Sequence, residues 1–159
     1  MATMHNFGDD NAIGKRGEEI FRKFLETRNC KYTDVSEDSK YQEQDIDFLV
    51  ESRKTPGKIV SVEVKNDQRI AETGNIFFET MSNVDYSTDG CFKKSKAELM
   101  AIVSESEKLI YFVGTELLRA FVDRNSNSLR FISRVPGSNS CGYLIPVKRI
   151  GSDVVKVRY

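Results

Sequence analysis

The chain has one histidine, His5, no tryptophan, and only three cysteines and three prolines in 159 residues. With its one imidazole in the N-terminal segment, it cannot assemble a Ser-His-Asp hydrolase triad. It also lacks a Cys/His cluster of the kind that holds zinc. Cys30, Cys91 and Cys141 are far apart, odd in number and free of any CxxC pair. That pattern argues against a disulfide framework and points to free thiols in a reducing cytoplasm. Net charge is lacking too, because Lys plus Arg and Asp plus Glu are both 24. Many nucleic-acid binders carry an excess of positive charge. Any such surface here must be a local patch offset by acid elsewhere, and an acidic metal site would be one such offset. No apolar run approaches the ~18 residues that a membrane span needs. The N-terminus, Met1 to Asn6, lacks the basic and apolar regions of a signal peptide.

What remains is a polar globular composition, 39% hydrophobic and 30% charged, long enough for one domain with one core. There is no internal repeat, no low-complexity tract and no dividing linker. Residues 1–11 read as a loose arm. Ile13, Ile20, Phe21, Phe24 and Leu25 recur at helical spacing, and Asn11 is a candidate N-cap. Gly14 and Gly17 weaken that helix, by about 1 kcal/mol each relative to Ala, which makes sense if something must approach the backbone there. Short strands are expected at 31–35, 46–50, 59–64 and 75–79, with Pro56-Gly57 as a turn signal. Ser95 to Val103 reads as a second helix with Ala97, Leu99, Met100 and Val103 inward. A buried strand at 109–113, a short helix at 115–121, and strands near 129–133, 143–147 and 154–157 complete the chain. The order suggests an α/β (α+β) fold: a mixed sheet flanked by helices, αβββαβ, with a β-rich extension over 114–159.

The segment Gln44-Asp45-Ile46-Asp47-Phe48-Leu49-Val50 opens one apolar strand with acid, and Glu63-Val64-Lys65 closes the next. Strand side chains alternate faces, so Glu63 and Lys65 share one face, while Val62 and Val64 look into the helix-packed layer. In an antiparallel hairpin the start of one strand lies beside the end of the next. Asp47 should therefore fall beside Glu63 to Lys65. Magnesium takes hard oxygen ligands and keeps several waters, so two carboxylates plus a substrate phosphate suffice. Lys65 could hold or deprotonate an attacking water, or bind the scissile phosphate as a point charge. Asp38-Ser39-Lys40 repeats the acid-x-Lys tripeptide in a polar loop without apolar flanks, and reads as a decoy.

Taken together, Gly14-Lys15-Arg16-Gly17-Glu18, Asp47 and Glu63-Val64-Lys65 resemble the three motifs of the PD-(D/E)xK nuclease superfamily. Within it, the chain looks like small phage-type or Holliday-junction-resolvase-like endonucleases. Glu18 (or Glu19 beside it) stands for the helical acid, Asp47 (with Asp45 second) for the strand-opening acid, and Glu63-x-Lys65 for the third motif. The resemblance covers about residues 12–113. It departs from the pattern in having no proline before the second acid. It extends to Thr73-Gly74-Asn75-Ile76-Phe77-Phe78-Glu79 and to Gly90-Cys91-Phe92-Lys93-Lys94-Ser95-Lys96.

The resemblance implies a restriction-endonuclease-like core and a metal-dependent DNA endonuclease that leaves 5′-phosphate and 3′-hydroxyl ends. Catalysis would use Glu18, Asp47, Glu63 and Lys65, with Mg²⁺ (or Mn²⁺ in its place) on Asp47 and Glu63. Lys15, Arg16, Lys93, Lys94 and Lys96 would face DNA. From position alone, Gln68, three residues after Lys65, could contact the DNA substrate, and Glu79, at a strand end, could support the metal shell. Lys93, Lys94 and Lys96 read as opening the second helix, where basic residues oppose the helix dipole unless a phosphate is present. The expected setting is cytoplasmic, in a bacterial host if the protein is phage-encoded. A homodimer is expected where both strands must be cut. Two other readings stand beside this one: a non-catalytic nucleic-acid-binding module on the same fold, and an interaction protein with no nucleic-acid role.

Overall fold

The computed structural model describes residues 7–159. It is a mixed α/β structure built on two sheets. Helix α1 spans Phe7–Thr27. The helix therefore begins within the expected arm. Residues 7–11 are helical and Asn11 is interior rather than a cap, while residues 1–6 lie outside the described range. Phe21 and Leu25 are buried from α1, at the spacing of one helix face.

Strands β1 (Tyr32–Asp34), β2 (Phe48–Glu51) and β3 (Ile59–Asn66) form an antiparallel meander. The β2–β3 turn closes through Ser52 N–H donating to the Lys58 carbonyl at 2.8 Å, with Gly57 at φ 86°. That positive φ is the reason glycine follows proline there. Strand β6 (Leu99–Ser104) runs parallel to β3, and β7 (Leu109–Gly114) pairs antiparallel with β6. The C-terminal strand β10 (Val155–Arg158) completes a six-stranded mixed sheet in the order β1-β2-β3-β6-β7-β10. A second sheet holds β4 (Asn75–Asn83), β5 (Thr88–Asp89), β8 (Arg130–Ile132) and β9 (Cys141–Pro146), in the order β5-β4-β9-β8. The residues after 114 are thus divided between the two sheets, and helix α5 (Thr115–Asn125) buries Leu118 and Val122.

Here the expected second helix over 95–103 is corrected. Only Cys91–Lys94 is helical (α4, one turn; α2, Ser39–Gln42, and α3, Ile70–Thr73, are equally short), and Leu99–Ser104 is strand. The reason is burial on both faces. Ala101 and Val103 pack with Phe21 and Leu25 of α1, while Met100 and Ile102 pack with Ile76, Phe78 and Ile145 of the second sheet. A strand buried on both sides reads as a continuous apolar run, in which helical spacing can be found by accident.

The layers are therefore α1, the six-stranded sheet, and the second sheet with α5. The close approach of α1 to β3 depends on Gly17, because a Cβ there would sit 2.8 Å from the Asn66 Cβ. Gly14 has open space around it, so only one of the two glycines answers to a close contact.

Candidate functional site

Asp47 immediately precedes β2, and β2–β3 pairing sets it beside the end of β3. Its N–H donates to the Val62 carbonyl at 2.9 Å, and Asp47 Oδ2 accepts from the Val64 N–H at 2.8 Å. The Asp47 and Glu63 carboxyls lie close enough for each to shift the other's proton affinity. Glu63 is only 6% exposed. Its Oε1 lies 3.7 Å from Lys65 Nζ, and its Oε2 is buried with no hydrogen-bond partner. Burial pushes the Glu63 carboxyl well above the carboxylate range, and Asp47 and Asp45 push the same way against Lys65. Burial raises Asp47 as well, opposed by the Val64 N–H and by its interaction with Glu63. Close, poorly solvated carboxyls repel when both are ionised, so without a metal the pair holds protons more tightly than free carboxyls do, against the pull of Lys65.

Glu18, on α1, is near enough to Asp47 to feel its charge. Its carboxyl is pushed up to about 7, first by burial, then by Asp47, Asp34 and Glu37, with Lys15 opposing. Lys65 is flanked by a thiol and two carboxyls. Its ammonium is held above its ordinary value by the Cys91 sulfur, then by Glu63 and Glu79, against burial. Burial pushes Cys91 itself up to about 12. At neutral pH it is therefore a neutral thiol.

Glu79 reaches this cluster from β4. Its carboxyl is raised by burial, against Lys65 and the Cys91 N–H. Its backbone is held against two glycines. A Cβ on Gly90 would lie 2.6 Å from the Glu79 carbonyl oxygen, and one on Gly142 would lie 2.9 Å from the Glu79 Cα. The second sheet thus closes onto the Glu63–Lys65 face of the first.

The DNA-facing residues inferred from the sequence divide into two groups, most of them already paired. Lys15 Nζ is 3.1 Å from Glu37, and Arg16 and Gln68 both donate to Glu105. Across the site, Lys93 pairs with Asp89 at 2.9 Å and Lys94 with Asp45 at 3.3 Å. Lys96 is exposed and makes no ion pair among the described residues. Lys93 and Lys94 lie in the last turn of α4, and Lys96 lies beyond it. The dipole argument for them therefore reverses, since cations are at home at a helix C-terminus.

Sequence reading did not single out Cys91 at Lys65, Asp34 and Glu37 near Glu18, or Glu105. The signal for Cys91 was thin, a cysteine beside a glycine ahead of a lysine pair. Glu105 lies in a polar turn between two apolar runs, with no pattern to mark it.

Among the described residues, no three His, Cys, Asp or Glu side chains are arranged to hold a metal ion by themselves. The donor set nonetheless fits a hard cation supplemented by water and phosphate. It is all oxygen, and one of its buried oxygens, Glu63 Oε2, lacks a partner. Among the described residues, no helix is long and apolar enough to cross a membrane. No family model, curated protein or solved structure matches this chain.

Proposed function

We propose that this protein is a metal-dependent endodeoxyribonuclease of the PD-(D/E)xK type, with Asp47 and Glu63 holding Mg²⁺ or Mn²⁺. The observation that carries the reading is the Asp47–Glu63 pair beside Lys65, a half-buried carboxyl and a buried one, with Glu63 Oε2 unpartnered. The antiparallel β1-β2-β3 meander with β6 parallel to β3 supports a restriction-endonuclease-like core.

Bound magnesium would supply charge stabilisation at the phosphoryl oxygens and an acidified water. The chain's own groups do the rest. Ligation would favour the ionised form of Asp47 and Glu63, so metal binding would release protons. Lys65 stays an ammonium and holds the scissile phosphate as a point charge. Glu18 titrates near neutral pH and is suited to accept a proton from the attacking water, or to ligate in its turn. Lys15, Arg16, Gln68, Lys93, Lys94 and Lys96 supply backbone contacts once DNA competes with their acidic partners. One such site cuts one strand, so cutting a duplex or a junction through both strands calls for two copies. Free thiols fit a cytoplasmic setting, that of a bacterial host if the gene is a phage's.

The test is cleavage of supercoiled, linear, single-stranded and four-way DNA with Mg²⁺ or Mn²⁺. Wild type should cut, while Glu63→Ala and Lys65→Ala should not. Equal cutting by either variant would show the site to be misassigned. Salt-sensitive binding without cleavage in any metal would favour a non-catalytic DNA-binding module instead.

A further inference from the structure

At the end of β3 a single carboxylate oxygen collects four N–H groups. Glu105 Oε1 accepts from Arg16 Nε at 3.3 Å, Arg16 Nη2 at 3.1 Å, Asn66 Nδ2 at 2.7 Å and Gln68 Nε2 at 3.1 Å. The three donor side chains come from α1, from the last residue of β3, and from the loop after it. Asn66 is further fixed by donating to the Ile13 carbonyl at 2.9 Å. A carboxylate oxygen has only about two lone-pair sites, so four donors exceed what this atom can satisfy. Both Arg16 nitrogens crowd onto one oxygen, whereas a guanidinium fork is matched by two oxygens of one anion. A phosphate diester offers those two oxygens together. Glu105 is the first residue of the β6–β7 turn and its side chain is 30% exposed, so it can leave without unpacking a strand.

We propose that Arg16, Asn66 and Gln68 form a binding site for a backbone phosphate of nucleic acid, and that Glu105 fills it in the free protein until a phosphate displaces it. The inference rests on the nuclease reading above and deepens it. Asn66 follows Lys65 directly but lies on the α1 face, so the two sites flank one strand end. A nucleic-acid backbone crossing that end meets both.

The alternative is an ordinary ion-pair network that ties the turn to α1, and Glu105→Gln separates the two. The substitution keeps the side-chain shape and one acceptor oxygen for Asn66 while removing the charge. Binding of a fluorescein-labelled DNA duplex is followed by anisotropy across a salt series, with Ca²⁺ in place of Mg²⁺. Folding is checked by circular-dichroism melting. Glu105→Gln should bind about tenfold tighter at low salt with the wild-type log–log salt slope, because both complexes neutralise the same phosphate. Arg16→Gln, which leaves Glu105 in place, should weaken binding severalfold and flatten the slope by about 0.9. In the double variant the gain should vanish. A folded Glu105→Gln protein that binds with wild-type affinity overturns the inference alone. If neither wild type nor any variant binds duplex, single-stranded or four-way DNA, the nuclease reading falls and the phosphate site with it.

Discussion

Glu63 and Glu105 belong to neighbouring parallel strands, one within β3 and the other just past the end of β6. Their surroundings are opposite. The Glu63 carboxyl is buried, has one oxygen without a partner, and is pushed far above the carboxylate range by that burial. The Glu105 carboxyl is half-buried, has four donors on one oxygen, and is held below the ordinary range, first by Asn66 and then by Arg16. A buried polar atom without a partner costs on the order of 1–3 kcal/mol. It is tolerated where a ligand later supplies what is missing. The first carboxyl thus has an oxygen that Lys65 leaves unsatisfied, whereas the second is a carboxylate in a place suited to a larger anion.

The largest effect expected from this contrast is on chemistry. Glu63→Ala should lower the cleavage rate roughly 1000-fold, the scale of losing a main electrostatic stabiliser. Single-turnover kinetics on labelled duplex measures it, and a loss below tenfold would place the metal elsewhere. Next is the metal itself. Mn²⁺ at a hundred times its Kd should raise unfolding free energy by about 2.7 kcal/mol. The same addition to Asp47→Asn should leave the melting curve in place, and equal stabilisation of both proteins would mean that Asp47 is no ligand.

The approach of α1 is tested by Gly17→Ala. Its new methyl meets the Asn66 Cβ at 2.8 Å, and overpacking of this kind costs about 2 kcal/mol. Because α1 carries both Glu18 and Arg16, the substitution should weaken DNA binding and cleavage together. Urea unfolding with unchanged stability would show that the helix does not depend on this contact.

The smallest effect is a pH dependence of the metal-free protein. Glu18 rises from 4.5 to about 7 on folding, so the folded state binds its proton more tightly than the unfolded chain. Its carboxyl therefore costs nothing below the unfolded value, and stability falls as pH climbs from there through about 7. Solvent screening of a half-exposed group leaves about 1 kcal/mol of this. Glu18→Gln should flatten that part of the stability–pH curve, and an unchanged slope would assign the dependence to the Asp47–Glu63 pair.

The amino-acid sequence by itself determined the hairpin at the heart of the site. The apolar runs of β2 and β3, the Pro56-Gly57 turn and the alternation of side chains are local. Together they imply that Asp47 lies beside Glu63 and that Val62 and Val64 face the helix. The structure has that register, with Phe48 opposite Val62. Only the tertiary structure decided that Leu99–Ser104 is a strand, because burial on both faces erases the periodicity that separates strand from helix. It alone brought Glu79 and Cys91 to Lys65 from a second sheet, and Glu105 to Arg16 from 89 residues away. Those contacts depend on how layers stack, and the spacing of residues along one strand carries no record of the layer above it.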